Sequence, residues 1–172
     1  MRRQVKTCQG AQPSGLLLPA AAEKLQAFST VQGASLFMTL TTLVNVLLYR
    51  YTGQEAIVIG SPPAGRRHAD LHGQIGFYIN TLALRTRLRC DMVFDELLAQ
   101  QKQRIQEAFE HEHYPFDRRV EELDLPRDMS RSAVFDVMVV LQDNEETRLE
   151  LKVCRSSPNH HQPGLRKAQP GK

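Results

Sequence analysis

The chain has 172 residues, 41% hydrophobic and 24% charged, a balance that suits one soluble domain with a real core. Lys and Arg number 22 against 19 Asp and Glu, a net charge of +3, and they are scattered among acids, so no basic stripe marks a nucleic-acid partner. Cys8, Cys90 and Cys154 are odd in number and far apart, which excludes a disulfide framework or a zinc knuckle and points to the reducing cytoplasm.

Residues 1–18 are polar and aperiodic and read as a loose lead-in; their one apolar run, Leu16 to Leu18, is too short for a signal-peptide core. Pro19 suits the first turn of a helix that ends at Gly33. Ser35 then caps a second helix running to Gly53. Its apolar residues Leu36, Phe37, Leu40, Leu43, Val44, Leu47 and Leu48 cover most of the circumference and predict a buried helix. Thr39, Thr41, Thr42 and Asn45 interrupt that segment, which does not read as a membrane span.

Glu55 to Gly60 is a β-branched run expected to be covered on both faces. Gly76 to Leu88 alternates as a second strand. Asp91 is the expected cap of a third helix, with Phe94, Leu97, Leu98, Ile105, Ala108 and Phe109 on one face and Pro115 ending it. A short helix over 116–123, a central strand over 134–141 and a last strand over 148–153 follow, and 155–172 reads as a disordered tail.

Gly60 and Gly65 in IVIGSPPAGRR have the spacing of a phosphate-binding loop. Pro62 and Pro63 remove two N–H donors, and Arg66 and Arg67 stand where the lysine and hydroxyl would be, so the run reads as a strand exit. His111 and His113 lie two apart and point to different helix faces, and His160 with His161 sits in the polar tail, so no metal site is expected. No catalytic triad can be assigned from spacing alone.

Three stretches in order, IGFYINTLALR (75–85), HEHYPFDRRVEEL (111–123) and RDMSRSAVFDVMVVLQ (127–142), resemble the last three core motifs of condensation domains of nonribosomal peptide synthetases, and LLYRYTGQEAIVIGSPPAGR (47–66) is similar to the segment leading into them. Four positions depart from the family pattern: His113 replaces an acid, Asp117 a Glu, and Ser132-Ala133 an Asn-Pro. The resemblance implies an α/β chain forming one lobe of a chloramphenicol-acetyltransferase-like fold, a mixed sheet packed with helices, with residues 19–154 as a C-terminal lobe incomplete at its end.

In that family two lobes enclose a tunnel in which carrier-bound aminoacyl and peptidyl thioesters are joined through an amide. The histidine motif HHxxxDG that serves this step belongs to the first lobe. Here the adjacent histidines are followed by Gln162-Pro163-Gly164-Leu165-Arg166, so the motif is absent and no catalytic residue is assigned. The chain is expected to be inactive alone, or else to serve as a carrier-docking module or one half of a split enzyme. The implied partners are carrier domains bearing phosphopantetheine, the first lobe and an adjacent adenylation domain, with no cofactor, metal, nucleic acid or membrane bound by the chain itself. Arg66, Asn80 and Arg131 are the candidates for tunnel or lobe-interface positions, and the resemblance puts the Asn80 motif near that interface.

Overall fold

The computed structural model describes residues 10–66, 68–71, 74–125 and 130–142. The expected strand over 148–153, the tail and the His160–His161 pair lie outside the described residues. In chain order the elements are α1 (Pro19–Val31), α2 (Leu36–Thr52), β1 (Ala56–Ser61), a 3-10 turn (Ala69–Leu71), β2 (Leu82–Arg87), α3 (Phe94–Glu110), α4 (Phe116–Glu122) and β3 (Val137–Met138). The sheet order is β2-β1-β3, antiparallel between β1 and β2 and parallel between β1 and β3. It is therefore a mixed sheet.

Local chemistry explains the boundaries. The Ser35 side chain accepts the Met38 N–H at 3.2 Å, and Gly53 closes α2 in the left-handed region at φ 67. α3 departs from expectation at both ends. Its N-cap is Val93 with no side-chain cap, while Asp91 pairs with Arg89 at 3.3 Å, and the helix ends at Glu110, so Pro115 caps α4 instead of ending α3. β2 opens at Leu82, opposite Ser61, and not at Gly76. The next residues on the β1 side are Pro62 and Pro63, which have no N–H to continue the ladder. β3 is likewise two residues long where eight were expected.

One face of the sheet is covered. Ile57, Ile59, Ser61, Leu82, Leu84 and Thr86 share it and are buried, and α2 and α3 pack over β1 and β2. Fully burying each of the aliphatic residues contributes about 1.5–3 kcal/mol. The opposite face is covered unevenly: Ala56, Arg85 and Arg87 are exposed, Val58 and Ala83 are half-buried, and Gly60 is buried against the Phe135 ring, so the expected cover on both faces of β1 holds only toward its C-terminal end.

α2 is turned differently from its composition. Thr39, Thr41, Thr42 and Asn45 are fully buried, whereas Leu43 and Leu47 are 41% and 54% exposed. Two of the three inward hydroxyls find partners close at hand, while Thr41 Oγ1 has none among the described residues: Thr42 Oγ1 donates to Met38 O at 2.8 Å, and Thr39 Oγ1 meets Ser29 Oγ at 2.7 Å. Asn45 Nδ2 donates to Thr86 Oγ1 at 3.1 Å, and Thr86 donates to Gln101 Oε1 at 2.6 Å. This chain of polar groups joins α2, β2 and α3; pairing offsets the cost of burying them, although Asn45 Oδ1 and Gln101 Nε2 are left without a partner among the described residues.

Candidate functional site

The loop that leaves β1 and the segment that enters β2 form one tied structure, and two of the three candidate residues hold it. The Arg66 guanidinium donates to the carbonyls of Leu71, Gln74 (2.6 Å) and Gly76 (3.3 Å) and lies 4.6 Å over the Tyr78 ring. Five fixed donors suit Arg to this use. Gly65, at φ 65, lies against the Tyr78 carbonyl so closely that a Cβ would overlap the oxygen. The loop thus binds its own backbone, as the two prolines already suggest.

Asn80 carries the second tie. Its Nδ2 donates to Glu112 O at 2.6 Å and Tyr114 O at 2.8 Å, while its Oδ1 accepts from Thr81 N at 2.8 Å and Phe116 N at 3.2 Å. One amide therefore fastens the approach to β2 onto the turn between α3 and α4. That turn is braced again by Tyr114, whose hydroxyl donates to Glu122. This hydrogen bond, followed by desolvation and the Glu122 charge, holds the phenol above its ordinary 10.0 against the opposing pull of Arg118 and Arg119.

The 130–142 segment joins the same assembly. Phe135 packs against Phe116 at a tilt of 52° with centroids 5.7 Å apart, and its ring fills the space where a Cβ on Gly60 would stand. Arg131 lies elsewhere. It borders a cleft of about 860 Å³ between the start of β1 and residues 131–137, with Leu48, Thr52 and Glu55 on the other wall. The structure therefore brings Arg66 and Asn80 to one loop and places Arg131 at a separate cleft.

Sequence reasoning missed two features of this region. The carbonyl partners of Asn80 lie 32 and 34 residues away; the need for a partner was visible in a polar residue among apolar ones, but not its address. Ile75, Phe77 and Ile79 are 104%, 88% and 54% exposed, although alternation alone suggested a paired strand. Among the described residues no group of three His, Cys, Asp or Glu could hold a metal ion, and no single helix is long and apolar enough to cross a membrane.

A mixed sheet backed by two helices, with its outer loops fastened by the Arg66 guanidinium and the half-buried Asn80 amide, makes this an α/β fold. The condensation-domain family model matches residues 1–167. One of the plipastatin synthase proteins of Bacillus subtilis (strain 168) is 41% identical over 157 residues, 91% of this chain but 4% of that protein. Gramicidin S synthase 2 of Brevibacillus brevis is 41% identical over 136 residues, 79% of this chain and 3% of that one. The fold matches a four-domain nonribosomal peptide synthetase at TM-score 0.78 and 22% identity, over 86% of this chain and 11% of that one. It matches the condensation domain of the polyketide synthase MokA at TM-score 0.63 and 27% identity, over 71% and 29%.

The chain belongs to the condensation-domain family of nonribosomal peptide synthetases. It spans only 4% and 3% of the length of the two synthetases compared with it.

Proposed function

We propose that this chain is the C-terminal lobe of a condensation domain, residues 19–154, and that it takes part in amide-bond formation between carrier-bound thioesters only together with a lobe bearing the histidine motif. One observation carries the reading. The three motif segments, distant in sequence, meet in space: the Asn80 side chain of the first holds the backbone of Glu112, Tyr114 and Phe116 of the second, and Phe135 of the third packs at a tilt against that same Phe116. The shared motifs thus build the scaffold of the lobe. Arg66 and Asn80 serve it as positioning residues, and Arg131 is the candidate with an outlook onto a cleft.

The 172 residues contain no HHxxxDG. Positioning and proton transfer each contribute orders of magnitude to rate, so the lobe alone is inert in this reading. Its partners are carrier domains with their phosphopantetheine arms, the first lobe and an adenylation neighbour, in the cytoplasm. The test is to mix the purified chain with aminoacyl-loaded donor and acceptor carriers. No dipeptide above the uncatalysed background is expected, and efficient dipeptide formation would overturn the reading.

A second reading, a non-catalytic module that docks carriers or a separately encoded first lobe, is favoured by the outward apolar side chains of Leu43, Leu47, Ile75, Phe77 and Ile79. Titration with each partner decides it, and no binding at high concentration removes it.

A further inference from the structure

The outer edge of the sheet carries three arginines at alternate positions. Arg85 and Arg87 lie on β2, Arg89 lies just beyond it, and all three are exposed. They line a cleft of about 550 Å³ with Glu55, Met92 and Gln100. Arg89 meets Asp91 at 3.3 Å, whereas Arg85 and Arg87 have no ion-pair or hydrogen-bond partner for their side chains among the described residues. Gln100, on the α3 wall of this cleft, keeps its side-chain oxygen buried and unpartnered. Glu55 is the one acid of the lining.

The backbone adds to this. Among the described residues β2 is an edge strand, next to β1 alone. Leu88 N–H donates to Glu55 O at 2.7 Å, and alternation in an antiparallel ladder then directs the peptide groups of Leu82, Leu84 and Thr86 toward β1 and those of Ala83, Arg85 and Arg87 away from it. The same residues therefore offer outward peptide groups and unpaired guanidinium groups.

We infer that this edge is a binding site for an extended acidic polypeptide segment, which adds as a strand beside β2 and places carboxylates at every second residue against Arg85, Arg87 and Arg89. Spacing decides against a single phosphate: four residues of strand extend about 13 Å at about 3.3 Å each, farther than one phosphate group reaches. A carboxylate at every second residue of a neighbouring strand has the same repeat as the arginines. Strand addition gives affinity through the main chain, and cross-strand charge pairs give the choice of partner. Edge arginines otherwise serve to repel self-pairing, and that bland role predicts no acidic ligand.

The test uses the full chain and a labelled decapeptide alternating Glu with Val, followed by fluorescence anisotropy at low and moderate salt. Saturable, salt-sensitive binding is expected. The double substitution Arg85→Gln/Arg87→Gln should weaken it about 10-fold, as two exposed ion pairs allow, with unchanged circular dichroism and melting because both side chains are exposed. The same peptide N-methylated at alternate residues should compete poorly, and inorganic phosphate should compete only through ionic strength. No saturable binding, binding indifferent to the two arginines, equal binding of the N-methylated peptide, or specific displacement by phosphate would each overturn the inference.

Discussion

Asn80 is the most direct place to separate scaffold from substrate contact. Asn80→Ala removes two donors and one acceptor at once, leaving the carbonyls of Glu112 and Tyr114 and the N–H groups of Thr81 and Phe116 without that partner. The Thr81 bond is local and water replaces it readily. The other three join segments more than 30 residues apart, and at roughly 1 kcal/mol net each their loss destabilises the chain by about 3 kcal/mol. Urea denaturation followed by circular dichroism reads this as a lower midpoint with an unchanged slope. Asn80→Asp keeps the acceptor, loses the donors and sets a carboxylate against two carbonyls, so it does not rescue stability. A loss under about 0.5 kcal/mol, the scale of an ordinary surface substitution, would refute the scaffold role and return Asn80 to the substrate side.

Gly65→Ala places a Cβ on the Tyr78 carbonyl and forces a non-glycine residue to φ 65; a loss of at least about 2 kcal/mol in the same urea assay is expected, while a neutral result would show that the loop is not held as described. For Tyr114, the native state holds the phenolic proton more tightly than the unfolded chain does. That contribution is present below pH 10.0 and is lost as pH rises through the raised native value. Midpoints measured across that range should fall for the parent chain and fall less for Tyr114→Phe, and equal falls would contradict the Tyr114–Glu122 pairing.

The elements most visible in the sequence were those set by local chemistry. Ser35 and Gly53 cap α2 at the residues expected, because a side-chain oxygen three residues from an N–H and a left-handed glycine act within one turn. The missing donors of Pro62 and Pro63, with Arg66 and Arg67 in place of the lysine and hydroxyl, argued against a phosphate cradle from local chemistry. The same absence shortened β2, a consequence visible only once the register placed Leu82 opposite Ser61.

Orientation was harder to read. Counting apolar residues around α2 predicted burial, yet the threonines and Asn45 face inward, since their partners Ser29 and Thr86 come from other elements. Gln101 lay unnoticed in the apolar face of α3 for the same reason. Of the site, the anchoring use of Arg66 followed from its chemistry, and the need for an Asn80 partner followed from its setting. That Arg131 sits apart from both depends on long-range packing that spacing does not encode.

The central claim is that this fold is the second lobe of a working condensation domain. The most direct measurement is single-turnover dipeptide formation by a fusion joining the histidine-bearing lobe of a plipastatin synthase condensation domain to this chain, with loaded donor and acceptor carriers. The fusion is predicted to form the amide, and each half alone is predicted to give only background. A correctly folded fusion that stays at background while the parent domain turns over, or activity from this chain alone, would contradict the claim.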